Sequence, residues 1–437
     1  MPSYDLTQTS FLFSWVSNAA SNVTGTAPQL AQFLSLAFGK GGSWTWTLGP
    51  GSPTLTVNGL IDSMGSQLIG QDWEITWGPA VYQNNDDNEA DNALVVVYSP
   101  SQDSYVVAMA GTNPASAFDW VLEDAKVGPK AMVDFPLTDL SAPPVGGLTN
   151  PLVQQVTLGT ATGIYNLLTQ MVDQNGDTLD LAGYLTALKP ASGHSGSKII
   201  FTGHSLGGAL SPTLAYQLLP SLTSWTTNGG SVCAMPTAGP TPGNGMFALK
   251  WGLHFGPTPV TSNTGNQVTT LNTPIFDVQD VVPCAWAHVI DLIDSYTTIT
   301  YPNPACQAYF YDFNTKSVPV TLQTQTMELA NEESSSTNKI ATYFGGIATA
   351  AQGLGTAALV ARLLNTKGLT GSFPLTYWNK TGGTGGTGGW SQYSLPTSTV
   401  TTSGPFLDAV ALIHVWHYFQ FFGIDPTQVT RTIQPAS

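Results

Sequence analysis

Apolar and polar positions follow two different periods through the middle of this chain. Ala93-Leu-Val-Val-Val-Tyr98 and Tyr105-Val-Val-Ala-Met109 are apolar, β-branched runs joined by Ser-Pro-Ser-Gln-Asp-Ser. Such runs around a turn-forming linker predict a hairpin-like pair of strands, the second ended by Gly111. From Gln154 to Val172 the period changes, with Val156, Ile164, Leu167, Leu168 and Met171 recurring at helical spacing. Lys198-Ile-Ile-Phe-Thr202 predicts a buried strand, and Gly208 to Leu218 an apolar helix with Pro212 inside it. A proline there removes one hydrogen bond and crowds the carbonyl of residue 208, so a kink is expected. Strand and helix signals in alternation predict an α/β protein with a mainly parallel central sheet flanked by helices.

Composition narrows the class. The chain has 437 residues and 42% hydrophobic content, enough for one large core with a cap. Only 9% of residues are charged, so neutral polar groups must cover the surface, which suits a secreted, extracellular enzyme. The net charge of −15, from 27 acids against 12 bases, repels phosphate backbones and excludes nucleic acid as a partner. Cys233, Cys284 and Cys306 are too few for a disulfide scaffold and lack zinc-site spacing; one bridge, Cys284 to Cys306, is the pairing expected. Neither a metal nor another cofactor is expected. No basic leader precedes the apolar patch Phe11 to Val16, so no ordinary signal peptide is read. The charge-free stretch Ile340 to Ala361 is rich in Ala, Gly and Thr, which points to a buried or interfacial helix over a membrane span.

The chemistry sits at Gly203-His204-Ser205-Leu206-Gly207, of the form Gly-x-Ser-x-Gly, directly after one predicted strand and before one predicted helix. A serine on so sharp a turn has a strained backbone, and the flanking glycines let strand and helix pack closely. The turn lifts the Ser205 hydroxyl clear of the sheet, while the N-terminal dipole of the next helix faces developing negative charge. The N–H of Leu206 becomes an oxyanion donor.

Lys198 to Leu218, with Gly-His-Ser-Leu-Gly-Gly-Ala-Leu at its centre, resembles the class 3 lipases, which include filamentous-fungal lipases and feruloyl esterases. Met109-Ala-Gly-Thr112 followed by Phe118-Asp-Trp120 and Asp124 is similar to the family's Arg-Gly-Thr motif and its Trp-containing segment, with Ala110 in place of the arginine. The resemblance implies an α/β-hydrolase fold, Thr112 as the second oxyanion residue and a lid over 113–120. Thr237-Ala-Gly-Pro240-Thr-Pro-Gly243-Asn244 looks like the family stretch that follows the nucleophile's helix. Asp280-Val-Val-Pro283, after the apolar run Pro274-Ile-Phe276, matches its Asp-x-Val-Pro, which makes Asp280 the triad acid over its neighbour Asp277. Ile413-His-Val-Trp-His-Tyr-Phe-Gln-Phe-Phe-Gly423 is similar to the family's terminal His followed by aromatics and Gly, implying His414 as the base. His417 sits three residues later, on the same face if the segment is helical, so periodicity leaves both open. His288 follows the acid too closely. His204 packs or hydrogen-bonds beside the site, and His254 lies in a Gly- and Pro-rich insertion.

Asp280 and His414 are separated by more chain than the family uses, which divides the molecule into an N-terminal extension (1–92), a core (93–290), an inserted cap (291–404) and a C-terminal return to the core (405–437). The cap contains an Ala- and Gly-rich helix within Met327 to Lys367, which roofs an acyl pocket, enters a lipid surface or serves as scaffold. Gly368 to Trp390, with its Thr-Gly-Gly repeat and Trp378 and Trp390, reads as a flexible loop. The expected function is a serine hydrolase of carboxylic esters, a lipase or esterase, acting on small-molecule or lipid esters, including at a lipid–water interface. The other readings are an acyltransferase, a non-catalytic ester-binding relative, or, more weakly, a peptidase on the same triad.

Overall fold

The computed structural model describes residues 4–45, 54–57, 59–63, 68–70, 72–84, 88–111, 131–148, 150, 152–190, 196–240 and 242–276. It also describes Pro283, His414, residues 417–424 and short strands at 310–311, 319–320, 376–380, 390–394 and 433–435. In chain order the elements are α1 (Leu6–Val16), α2 (Ala27–Phe38), β1 (Gly42–Thr45), β2 (Thr54–Val57), α3 (Leu60–Ser63), β3 (Glu74–Tyr82), β4 (Asn92–Ser99) and β5 (Ser104–Met109). Then follow β6 (Met132–Asp134), β7 (Gln155–Thr157), α4 (Leu158–Thr169), α5 (Leu181–Ala187), β8 (Lys198–His204), α6 (Leu206–Leu218), α7 (Thr223–Thr227), β9 (Ser231–Thr237) and α8 (Gly245–His254).

The central sheet has the order β3-β4-β5-β8-β9. β4 runs antiparallel to both β3 and β5, whereas β5, β8 and β9 are parallel, so four of the five strands point the same way. Ile275 extends the parallel direction by bridging to Thr237 of β9. The expected hairpin is therefore β4–β5, in register from Leu94↔Met109 to Ser99↔Ser104. Its partner β3 comes from the stretch read as an N-terminal extension, so that stretch supplies an edge strand to the sheet itself.

Side chains on the strands alternate between two cores, as strand geometry requires. Val107, Met109, Ile199, Phe201 and Ala234 face the layer of α4, α5, α6 and α8. Val106, Ala108, Ile200, Cys233 and Met235 face the layer of α1, α2 and a C-terminal helix, His417–Phe421. Both faces are covered, which is why the parallel strands read as unbroken apolar runs and not as an alternating pattern.

Two expectations need correction. The helix read from Gln154 starts at Leu158, because Gln155–Thr157 pairs with β6 and Thr157 caps the helix through its hydroxyl, 3.1 Å from Thr160 N. A short strand followed by an N-cap threonine hides inside a helical period. The Gly368 to Trp390 stretch carries strand at its end: Thr376–Lys380 pairs antiparallel with Trp390–Ser394, with Trp378 opposite Gln392 and Lys380 opposite Trp390. His254 is the last residue of α8, with its ring 5.2 Å from that of Tyr216. α6 runs unbroken through Pro212, whose carbonyl accepts the Trp251 indole N–H at 3.0 Å.

No helix among the described residues is long and apolar enough to cross a membrane. Ile340 to Ala361 lies outside the described residues, as do Cys284 and Cys306. Cys233 is a free, buried thiol whose pKa burial raises to about 11.

Candidate active site

β8 and α6 meet at Ser205, which has φ 59° and ψ −127°. This is left-handed backbone that a non-glycine residue adopts only when its surroundings enforce it. Here two features enforce it. The N–H of Ser205 donates to Thr237 O of β9 at 3.0 Å, and the Ser205 carbonyl accepts from Gly208 N at 2.7 Å, opening α6. The flanking glycines permit the turn. A Cβ on Gly203 would collide with the main chain of Gly207, and a Cβ on Gly207 would lie 2.6 Å from Ala110 O. Larger residues at either position would push helix and strand apart.

Leu206 is the first residue of α6 and its side chain is buried. The first N–H groups of a helix have no partner within it, so the Leu206 N–H stands beside the Ser205 hydroxyl at the positive end of the helix dipole.

The opposite side of the elbow is aromatic. His204 is buried, with Nδ1 3.1 Å from Thr237 Oγ1. Its ring packs edge-on against Phe11 (6.1 Å between centroids), Trp15 (6.3 Å) and Tyr418 (5.1 Å). The His414 ring lies 4.7 Å away at 44°. Burial first, and the neighbouring His414 second, push the His204 pKa well below its usual value, with a hydrogen bond to the His414 main chain acting the other way. His204 is therefore held neutral where the end of β8 packs on α1 and the C-terminal segment.

That segment is clamped to α1. Phe11 stacks on Phe422 at 4.4 Å and meets Phe419 edge-on at 5.0 Å, and Trp15 meets Phe419 at 5.2 Å. The Gln8 amide donates to Phe422 O at 2.7 Å across 414 residues of chain. α1 itself is set by a capping box in which Asp5 accepts from Thr7 N and Gln8 N and the Gln8 side chain accepts from Asp5 N.

Of the residues singled out from sequence, Ser205 and Leu206 form the turn from β8 into α6, and His414 packs its ring on that of His204, the residue before Ser205. Asp280 and Thr112 lie outside the described residues, as do the 113–120 segment and the side chain of His417. The described residues that last precede them in the chain are Phe276, which follows Ile275, the residue that bridges to β9, and Gly111, two residues past the end of β5. Thr237 was not foreseen. Its hydroxyl reaches both His204 Nδ1 and Gly203 O, each at 3.1 Å, and its only sequence signal was its place in the Thr-Ala-Gly-Pro stretch.

No family model matches the chain, and no curated protein matches it. Among solved structures, the M37 lipase superposes with a TM-score of 0.50 at 20% identity, covering 98% of this chain and 96% of that one. A lipase from Rhizopus microsporus var. chinensis aligns over 48% of this chain and 55% of its own at 17% identity and a TM-score of 0.30. Lip2 lipase from Yarrowia lipolytica aligns over 44% of this chain and 56% of its own at 19% identity, with a TM-score of 0.28. The last two are too partial to bear on the site. The first spans nearly the whole of both chains: the resemblance to class 3 lipases carried by the sequence motifs is matched by a lipase in three dimensions, and this chain has the α/β-hydrolase fold.

Proposed function

We propose that the protein is a serine hydrolase of carboxylic esters, with Ser205 as nucleophile and His414 as its base. The observation that carries the reading is the elbow, a serine at φ 59° on the tip between β8 and α6 with an imidazole from the chain's far end packed one ring away. A loop serine has no reason to hold that backbone strain unless its hydroxyl must stand clear of the sheet.

His414 takes the Ser205 proton as the hydroxyl attacks the ester carbonyl. The Leu206 N–H, and in this reading the N–H of Thr112, hold the oxyanion. Asp280 orients the imidazole and stabilises it once protonated. The alcohol leaves with the proton from His414, and water attacks the acyl-enzyme to release the acid. The charge-poor composition favours uncharged, apolar esters, and the lipase neighbours support glycerides at a lipid–water interface as the substrate class to test first.

Ser205→Ala is expected to abolish hydrolysis of a nitrophenyl ester, a loss on the order of 10⁴ or more, while far-UV circular dichroism stays as in wild type. Retention of activity in that variant would end the proposal. Fluorophosphonate labelling followed by release of the acyl group into water separates this reading from a binding protein, which fails at labelling, and from an acyltransferase, which fails at release.

A further inference from the structure

We propose that His204 is a positioning residue for His414: anchored to β9, its imidazole is the seat against which the ring of the proposed base is set. The inference rests on the reading of Ser205 and His414 as nucleophile and base. His204 immediately precedes Ser205, so its Cα lies one peptide, about 3.8 Å, from that of the nucleophile. Its ring meets that of His414 with 4.7 Å between centroids. One side chain thus joins the elbow to a residue more than 200 positions further along the chain.

A seat has to be fixed itself, and this one is fixed from two sides. His204 and Thr237 stand in register across the parallel pair β8–β9, with Nδ1 3.1 Å from Thr237 Oγ1. The same hydroxyl donates to Gly203 O at 3.1 Å, so it is held to β8 at two points. Around the ring, Phe11 and Trp15 of α1 and Tyr418 of the C-terminal helix stand edge-on at 82°, 75° and 81° and wall the imidazole in. A general base works only within hydrogen-bond reach of the proton it takes, and displacements of about 1 Å can cost on the order of 100-fold in rate. Contact with an anchored ring makes the place of His414 follow the place of the elbow. Burial also keeps His204 neutral, so the charge of a proton taken by His414 meets no like charge on the ring beside it.

The contrasting role is packing alone, in which His204 fills the space between α1 and β8 and any loss on its removal is independent of His414. A double-mutant cycle separates the two. The readout is the rate constant for fluorophosphonate labelling of Ser205 per folded molecule in wild type, His204→Ala, His414→Ala and the double variant. His204→Ala is expected to slow labelling roughly tenfold. It should lower kcat on a soluble nitrophenyl ester by a similar factor, with KM within about twofold of wild type. Placed on His414→Ala, the same substitution should slow labelling by less than about twofold, because the residue it acts through is gone. His204→Phe keeps a ring but loses the anchor, and Thr237→Val loses the anchor but keeps the imidazole. Both should show smaller losses that vanish in the same background, and they carry the test if His204→Ala does not fold. Equal losses in the two backgrounds, or no loss in any of the three variants, would overturn the inference while leaving Ser205 and His414 in their roles. Undiminished labelling in His414→Ala itself would overturn the reading of His414 as base, and the inference with it.

Discussion

The two faces of the central sheet are packed differently. Under α4, α5, α6 and α8 the core joins aliphatic and sulfur side chains such as Leu206, Leu210, Leu214, Ile164, Leu167 and Met171 to the fully buried rings of Trp225, Trp251, Phe201 and Phe247. Under α1 and the C-terminal helix, Phe11, Trp15, Phe419 and Phe422 form a chain of ring contacts that ends on His204, itself against His414. The first face shapes the elbow that presents Ser205. The second brings an imidazole to it from more than 200 residues away in sequence. Damage to the first should cost stability, whereas damage to the second should cost stability and separate the proposed base from its nucleophile.

The largest test of that contrast lies at the C-terminal pair. His414→Ala is expected to lower kcat on the order of 10³-fold or more, and His417→Ala by less than about tenfold, both by steady-state kinetics at saturating ester. Equal losses would leave the proposed base unassigned between the two.

Next come matched truncations of fully buried residues. Phe11→Ala should cost about 3–5 kcal/mol of stability in denaturant titration and also lower kcat per folded molecule, because Phe11 touches His204, Phe419 and Phe422. Leu214→Ala on the opposite face, also fully buried, should cost about 2–5 kcal/mol and leave kcat per folded molecule near wild type. If both variants kept full turnover per folded molecule, the aromatic face would be scaffold only.

The smallest effect is on pH dependence. His204 has its folded pKa depressed by burial, so on acidification the unfolded chain takes up a proton at this residue before the folded protein does. Its contribution to stability is therefore full above the unfolded histidine value of about 6.5 and is lost as pH falls below that value. His204→Asn, which keeps a donor for Thr237 Oγ1, should flatten the fall of the unfolding midpoint as pH drops below about 6.5. An unchanged slope would mean that His204 titrates alike in both states.

Much of this arrangement was legible in the residues. The runs at 93–98, 105–109 and 198–202 became strands because β-branched side chains fit a sheet buried on both faces. The elbow was legible because its backbone demands glycine at fixed positions, and local demands of that kind leave local marks. What sequence hid was non-local. The role of α1 depends on Gln8 meeting Phe422 and Asn18 meeting Gly111, contacts spanning 414 and 93 residues that no period or motif encodes. The start of α4 was missed because Val156 fits a helical period equally well, and its pairing with Val133 and Gly243 makes it strand.

The most direct test of the central claim is the rate at which a fluorophosphonate modifies the protein, with the adduct mapped by peptide mass spectrometry. The account predicts a single adduct on Ser205, formed much more slowly in His414→Ala and near the wild-type rate in His417→Ala. An adduct elsewhere, or undiminished labelling of Ser205 in His414→Ala, would contradict it.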